Sequence, residues 1–438
     1  MRIQKRVLPA RGMAILFFLL FYAFGGFAQD RYQTKGDSST LVTRSAVVIP
    51  FAFYLKPLGV AAATTLATQG WIQPQTNSTL LGIISSNGAR YINLDVDNVQ
   101  LPGIERLFVH PQLNVGHYAS FDVYGLPNPL AAGPLSGTHN SHDDNYITFE
   151  DDRFRVDLRV KYLLPMGFGK ETIINRQQLD EGFVSRGKST LGGWFPWTNG
   201  RTTLELGIFY SNDKLSSDLI DQKLKTGGYS MGFTTENVDF KPNPMQGSIV
   251  HYTFKQVPDF SWNTQPWTMS EGDISLFFSL PTQTLRQQTV ALHLWTAHVH
   301  SWNDYTATAM GKVYHRPSPF TRPGLGGVNR FRGYPEMRYN NQSAWMYAAE
   351  YRITPSWNPL GKWRLLANNG IRVSWMQFVP FFEAGRVAPE YNLKRFHTQM
   401  HFDVGLGWRL FVNNLVVRVD VAKGEENMQV QMFVQQAF

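Results

Sequence analysis

Long stretches of strictly alternating apolar and polar residues near the end of the chain constrain its fold more than any other feature. Over residues 397–410 the odd positions are polar or glycine, and the even positions are Thr398, Met400, Phe402, Val404, Leu406, Trp408 and Leu410. A period of two residues indicates a β-strand with one apolar and one polar face. This stretch is also long enough to cross a bilayer as a tilted strand, which takes roughly 9–11 residues. We therefore expect strands that span a membrane.

The same alternation recurs over residues 154–162, 345–354, 415–421 and 428–438. A soluble β-sandwich also alternates, but its strands usually have about 5–6 residues. The longer segments here, together with 14% aromatic residues, favour an all-β fold consisting of a closed antiparallel transmembrane β-barrel. In such a barrel the apolar face meets lipid and the charged face lines the lumen. Closure is required because an open edge in lipid would leave backbone groups unpaired.

The alternation and the turn residues between segments predict about sixteen strands, an even number as in bacterial barrels. We place them near residues 58–70, 77–86, 89–99, 112–124, 150–164, 176–188, 200–211, 245–256, 272–281, 288–301, 303–315, 343–354, 371–386, 396–411, 414–422 and 427–438. Residues 58–438 then form the barrel, with long extracellular loops at 212–244 and 316–342. Two connections that should be short, 125–149 and 257–271, come out long.

The start of the chain has the pattern of an export signal. Four basic residues, Arg2, Lys5, Arg6 and Arg11, precede an apolar run over residues 13–24, and small residues follow at 26 and 28. We interpret residues 1–28 as a cleaved secretory signal peptide. Residues 29–57 are then a short periplasmic segment, because a chain that short buries too little surface to fold as a domain.

Composition excludes several classes of function. The chain has no cysteine, which excludes disulfides, thiol catalysis and zinc–thiolate sites. Four of the positive charges behind the net charge of +8 belong to residues 1–28, and the remaining excess gives no reason to expect a nucleic-acid partner. We expect no cofactor.

Two short motifs lie where their spacing matters. Gly326 and Gly327 precede Arg332-Gly333-Tyr334 in the long loop before the strand near residue 343, and an aromatic-x-acid-x-glycine element ends in Glu383 and Gly385 on the predicted thirteenth strand. With the final strands and the last residue, Phe438, as a C-terminal strand signal, residues 320–438 resemble the BamA/TamA family (the bacterial surface antigen barrel). Residues 58–319 match only in length and rhythm.

The resemblance implies that loop 316–342 folds into the lumen, where Arg332 meets Glu383. A guanidinium presents a fixed fork of donors suited to a carboxylate, although this chain has glutamate where the family usually has aspartate. We expect water in the lumen to weaken the effect of removing either group. The alternative is a solvated loop arginine and an ordinary lumen acid.

The resemblance also implies a role in outer-membrane biogenesis or export, with a seam between first and last strands that opens to lipid or to a client. Family members carry periplasmic POTRA domains, which we do not find in this sequence, so a restricted role with a separate periplasmic partner is the expectation. Outer-membrane lipids and a client protein are the other expected partners. The alternative is a passive channel or a structural barrel.

Two further patterns suggest chemistry only weakly. Residues 228–232 match G-x-S-x-G around Ser230, but the hydrolase mechanism needs a strand–turn–helix elbow and no such context surrounds it. His298 and His300 share one strand face, with His293 on the other, and no third ligand stands at a fixed spacing. We therefore expect neither an enzyme nor a metal site.

Overall fold

A computed structural model describes residues 30–35, 41–42, 44–55, 59–131, 133–191, 198–309, 311–368 and 371–438. The predicted signal peptide, residues 1–28, lies outside them. Within these ranges no helix is long and apolar enough to cross a membrane.

One large antiparallel sheet dominates the described part of the chain. Its sixteen strands are β1 (Ser45–Leu55), β2 (Gly59–Gln69), β3 (Asn77–Ser85), β4 (Arg90–Asp97, resuming over Val99–Gln100), β5 (Leu107–Val123), β6 (Ile147–Leu163), β7 (Arg201–Ser216), β8 (Gln222–Val238), β9 (Gly247–Val257), β10 (Trp267–Ser279), β11 (Leu285–Val299), β12 (Ser343–Pro355), β13 (Val373–Ala388), β14 (His401–Val412), β15 (Leu415–Gly424) and β16 (Met428–Val434). Strands that follow one another along the chain are neighbours in the sheet, and the order is cyclic because β16 stands beside β1. We call the space that the sheet surrounds the interior.

The two faces of the sheet carry the two halves of the alternating pattern. On β14, Phe402 and Leu406 are 49% and 67% exposed on the outer face, whereas Asp403 and Arg409 are fully buried on the inner face. The outer face is therefore apolar and the inner face is charged, as the sequence predicted. This is the reverse of a soluble β-sandwich, whose packed face is the apolar one.

The count of sixteen is right, but two strands were missed and two segments were wrongly included. Residues 45–55, predicted as part of a periplasmic segment, form β1, so the sheet begins at Ser45 and not at residue 58. Residues 222–238, predicted as loop, form β8. The segments 176–188 and 303–315 do form strands, but in small separate sheets.

The missed β1 also explains the two connections that seemed too long. With β1 added at the start of the sheet, the strands that follow it run in the direction opposite to the predicted one. Residues 124–146 and 258–266 therefore lie at the same end of the sheet as the long loops 300–342 and 389–400. We call this the loop end. The opposite end carries the tight turn at Asn413-Asn414 and the long connection 164–200.

A small four-stranded sheet lies at the opposite end. Its hairpin, Asn175–Asp180 and Phe183–Gly187, belongs to the connection between β6 and β7, and Asp30–Lys35 pairs with it in parallel while Leu41–Val42 forms the other edge. The hairpin packs on residues far from its own strands: Leu179 and Phe183 join a cluster with Phe240, Trp375 and Phe411. It therefore reaches across this end of the sheet.

The remaining elements are short. They are the two-stranded sheets Tyr305–Thr308 with Gly311–Tyr314 and Gly324–Leu325 with Tyr339–Asn340, the 3-10 turns Gly167–Lys170 and Leu360–Lys362, and the helices Arg364–Asn368 and Leu393–Phe396.

Candidate functional site

The loop between β11 and β12 enters the interior and contacts walls on two sides. Arg332 bonds acidic groups of β12, β13 and β15. Arg330 donates to Glu271 of β10, beside those strands, at 3.2 Å. On the far side of the sheet, the Phe320 ring of the same loop lies 6.0 Å from the Phe121 ring on β5. The loop thus bridges the interior at the predicted position.

Gly326 and Gly327 make the tight turn that lets the loop double back. Their φ angles are +117° and +109°, a region that favours glycine. Gly326 N–H donates to the Arg330 carbonyl and Gly327 N–H to the Tyr334 carbonyl, both at 3.1 Å. A Cβ at Gly326 would collide with the Pro335 carbonyl oxygen. Larger residues would therefore break the turn that presents Arg332.

Arg332 and Glu383 meet in a fully buried contact. The Arg332 Nε donates to Glu383 Oε1 at 3.0 Å, and the Arg332 backbone N–H donates to Oε2 at 2.6 Å. Both side chains have no exposed surface, and the guanidinium lies 3.5 Å from the ring centre of Phe381. The expectation that water weakens the effect of removing either group loses its premise here, because neither side chain is exposed.

The pair belongs to a larger charge network. Arg332 Nη1 also donates to Glu350 at 2.8 Å and to Asp420 at 3.2 Å. Three further buried arginines surround those two acids: Arg352 bonds Glu350, Arg418 bonds Asp420, and Arg409 bonds both. Four arginines therefore face Glu350, Glu383, Asp420 and the adjacent Asp403. The charges are matched in number, and pairing of this kind is the condition under which buried charges are tolerated. Arg332 Nη2, Arg352 Nη1 and Arg418 Nε have no partner among the described residues.

Gly333 and Tyr334 hold the tip of the loop against β14 and β15. Gly333 N–H donates to Asp403 Oδ2 at 2.8 Å, and a Cβ on Gly333 would stand 2.6 Å from the Gly424 nitrogen. The Tyr334 hydroxyl donates to the Phe402 carbonyl at 3.1 Å and accepts from Glu425 N–H at 3.0 Å. The Arg-Gly-aromatic order thus places a charge, a close backbone approach and an anchoring ring in succession.

Gly385 lies where it was predicted, whereas Phe438 does not. Gly385 lies on β13 beneath the loop, where a Cβ would approach Leu325 Cδ1 to 2.8 Å. Phe438 is not part of the final strand, which ends at Val434. Instead the chain turns at Gln435 (φ 101°), and the Phe438 ring stacks on His293 inside the sheet with its carbonyl accepting from Arg352 at 3.1 Å. The prediction of a strand through residue 438 was wrong, because alternation does not reveal where the chain leaves the sheet.

Sequence reasoning missed a second loop anchor, Arg338. Its guanidinium donates to both carboxylate oxygens of Glu426, at 2.8 and 2.6 Å, and to the side chain and carbonyl of Ser141. It thereby joins the loop to the β15–β16 turn and to loop 124–146. No local pattern marks such a residue, since its partners stand 88 and 197 positions away.

Voids of about 260 and 180 Å³ lie beside the loop, and the larger one also borders β1, β2, β16 and the β14–β15 turn. Glu336 borders both voids, and burial raises the pKa of its carboxyl to about 7. Among the described residues no group of three His, Asp or Glu side chains could hold a metal ion.

The two weaker patterns do not assemble into sites. Ser230 lies in the middle of β8, paired with Gly207 and Lys255, and not at a strand–helix elbow. His293 faces inward and bonds Ser275 Oγ, whereas His298 bonds Ser343 and packs on Tyr391.

No protein-family model and no curated protein sequence matches the chain. Solved structures do match. CdiB from Escherichia coli is 10% identical over 92% of this chain and 66% of its own (TM-score 0.55), and CdiB from Acinetobacter baumannii is 9% identical over 90% and 60% (TM-score 0.52). BamA from Haemophilus ducreyi lacking POTRA domains 1–3 is 11% identical over 90% and 70%, with a TM-score of 0.48. The chain thus spans 60–70% of the length of these chains. At such low identity the likeness shows the fold alone, and it is the two CdiB chains, with TM-scores above 0.5, that carry this conclusion.

Proposed function

We propose that the protein is a closed β-barrel of the bacterial outer membrane that takes part in membrane-protein assembly or translocation. The apolar outer face and charged inner face support the membrane location. With the N- and C-terminal strands starting and ending at the opposite end, that end is periplasmic and the loop end is extracellular. The observation that carries the functional part is the buried contact of Arg332 with Glu383, Glu350 and Asp420.

That contact braces one side of the sheet selectively. The three acids stand on β12, β13 and β15, the part of the sheet that leads up to the junction of β16 and β1. The final strand is also the shortest of the sixteen in the described part of the chain, with 7 residues against 17 for β6. A short strand offers few ladder hydrogen bonds, so this junction is where the barrel opens most easily. The loop keeps the flanking wall in shape while it does so.

Two elements that cross the sheet's interior and its opposite end argue against a passive channel. The loop crosses the interior, and the hairpin 175–187 crosses the opposite end, held there by the Trp375 Nε1–H bond to the Gly182 carbonyl at 3.1 Å. We further propose that the protein works without catalytic chemistry, with a periplasmic partner, a client protein and outer-membrane lipids as its contacts.

A reversible tether across the junction tests the proposal. Asn414 Nδ2 donates to Gln69 Oε1 at 3.0 Å, joining the β14–β15 turn to β2 across both terminal strands. Because the chain lacks cysteine, Gln69→Cys with Asn414→Cys can be joined by a cleavable bismaleimide in cells. We expect loss of outer-membrane protein assembly on tethering and recovery on cleavage, with each single-cysteine variant as control.

Normal assembly with the junction tethered would contradict the opening of this seam. Co-purification of the tagged protein from native membranes would then identify the partner or client. Steady ion conductance through the untethered protein, with no client attached, would favour the passive channel.

A further inference from the structure

The first part of the connection between β12 and β13, residues 356–368, folds back over the outer face of the sheet at its opposite end; we call it the rim segment. Side chains alternate along a strand, so Val412 on β14 points outward like Leu406, and Val417 on β15 points outward because it stands opposite Leu410. Leu406 is 67% exposed, whereas Val412 and Val417 are only 5% and 7% exposed. Another part of the chain therefore covers the outer face here.

Apolar side chains of the rim segment provide that cover. Leu360 and Leu366 pack against a cluster formed by these two valines and Val373 of β13. Ile371, just after the segment, packs against the same cluster. Asn358 Nδ2 donates to two backbone carbonyls at the start of β13, at 2.9 and 3.0 Å. The rim segment is therefore fixed on the outer wall, at the edge of the sheet.

The rim segment also exposes large apolar side chains. Trp357, Trp363 and Leu365 are 58%, 51% and 65% exposed. The outer wall of a membrane-spanning barrel faces lipid, and its edge lies where the hydrocarbon layer meets the headgroups. Tryptophan concentrates at this level because its ring is apolar and its N–H is polar. The three side chains thus continue the lipid-facing surface of the barrel to its edge.

The charge of this stretch of the chain is entirely positive. Lys362, Arg364 and the nearby Arg372 are exposed, and no Asp or Glu occurs between Glu350 and Glu383. Exposed Trp and Leu together with Lys and Arg are typical of elements that lie in the membrane interface. Basic residues near a bilayer surface are attracted to anionic headgroups. A lipid with a negative headgroup therefore matches both features of the segment.

We propose that the rim segment binds the bilayer leaflet that faces the periplasm, with Lys362 and Arg364 on the headgroups of anionic phospholipids. Its exposed apolar side chains lie among the lipid chains. The proposal rests on the membrane location proposed above. A protein partner would also cover exposed tryptophans, but these stand on the wall that lipid surrounds. Binding there holds β12–β15 at a fixed depth in the membrane, in the part of the sheet that leads up to the junction of β16 and β1.

The depth of a label on the rim segment tests the insertion. Because the chain lacks cysteine, Leu365→Cys in the full chain can carry a single fluorophore. The labelled protein is placed in nanodiscs of phosphatidylglycerol and phosphatidylcholine, in which both ends of the barrel reach the buffer. We expect strong quenching by lipids that are spin-labelled near the headgroup and little quenching by acrylamide in the buffer. Ser185→Cys, at an exposed position of the hairpin 175–187 at the same end, should show the reverse.

The same label tests the choice of headgroup. We compare its quenching by spin-labelled phosphatidylglycerol with that by spin-labelled phosphatidylcholine. Lys362→Gln with Arg364→Gln should lower the preference for phosphatidylglycerol about fivefold or more, because each basic residue near an anionic surface contributes about that factor. Lys170→Gln with Arg186→Gln, at exposed positions of the same end, should keep the preference. Heat-modifiable migration in SDS shows that each variant is folded.

Three results would overturn the proposal. Acrylamide could quench the labels at positions 365 and 185 equally, or the Lys362→Gln, Arg364→Gln variant could keep the full preference for phosphatidylglycerol. A label at position 365 that is open to acrylamide in nanodiscs but protected in native outer membranes would assign the surface to a protein partner. If the seam tether still stops assembly in these cases, only this inference fails; a chain that does not insert into membranes at all would refute both.

Discussion

Arg332 divides its charge among three carboxylates, so Arg332 and Glu383 should not respond equally to mutation. Without the guanidinium, Glu350 keeps Arg352 and Arg409, and Asp420 keeps Arg409 and Arg418, but Glu383 is left as a buried charge. Breaking a buried pair in this way costs about 3–5 kcal/mol. Without Glu383, Arg332 still has two acids.

We therefore expect Arg332→Ala to lower the temperature at which the compact band unfolds in SDS more than Glu383→Ala does. The double variant should be less damaged than the sum, because the second change removes an orphaned charge. Arg330→Ala is the matched control, since that loop arginine is 25% exposed and bonds Glu271 of β10, outside the network. Equal drops in the unfolding temperature for Arg332→Ala and Glu383→Ala would show that Glu350 and Asp420 do not stabilise the Arg332 charge.

Glu336 should make the loop sensitive to pH. Burial raises the pKa of this carboxyl from 4.5 to about 7, only partly offset by Arg330, Arg153 and Arg155. A raised pKa in the folded state means that the protonated form is the stable one. Protonated Glu336 therefore stabilises the folded loop fully below about pH 4.5, and this stabilisation is lost as the pH rises through about 7.

We expect protease cleavage of the loop to increase between about pH 5 and pH 8, and Glu336→Gln to abolish the increase. Glu390→Gln, at an exposed surface acid, should leave it unchanged. A loop in Glu336→Gln that remains as pH-sensitive as the parent would assign the effect to another group.

At the scale of elements, the hairpin 175–187 depends on one close approach. Gly182 has φ +78°, and its missing Cβ leaves room for Phe411, Ser374 and Trp375, each within 3 Å of where it would stand. Gly182→Val should therefore lift the hairpin from the end of the sheet. We expect faster proteolysis of this segment in detergent, with Val184→Ala, at an exposed position of the same hairpin, as control. Unchanged proteolysis would mean that the aromatic cluster holds the hairpin without this contact.

The same hairpin shows what alternation can and cannot reveal. It correctly identified residues 176–188 and 303–315 as β-structure, yet these pair locally and not in the large sheet. Conversely, β8 was missed because Gly227, Gly228 and Gly232 interrupt its pattern. In the structure these glycines make room for Trp262 and for the backbone of β9. The period of a strand predicts which side chains share a face. It does not predict which strand is its neighbour, because that depends on residues far away in sequence.

For the site, the meeting of Arg332 with Glu383 was an expectation of the family resemblance, and the structure brings the two side chains into contact. The remaining acids and arginines were visible only as ordinary inner-face charges. Arg352, Arg409 and Arg418 join the network because three strands far apart in sequence are adjacent in the sheet. Loop anchors such as Arg338 leave no local signal.

The whole molecule is obstructed at two levels, by the loop in the interior and by the hairpin at the opposite end. Each is held independently, the loop by the arginine network and the hairpin by the Trp375 cluster. If the obstructions act in series, removing one leaves the other in place. We therefore expect little steady conductance in planar bilayers for the parent chain and for either single deletion, residues 323–340 or 175–187.

The double deletion should conduct, because it leaves an interior lined by buried charges with no element across it. Deletion of the exposed hairpin 305–314, outside the interior, serves as the control and should behave as the parent. Heat-modifiable migration must show that each deletion is folded, since losing residues 323–340 also orphans the acids around Arg332. Conductance by the parent equal to that of the double deletion would mean that ions pass around both elements, and the passive-channel function would then replace the assembly function proposed here.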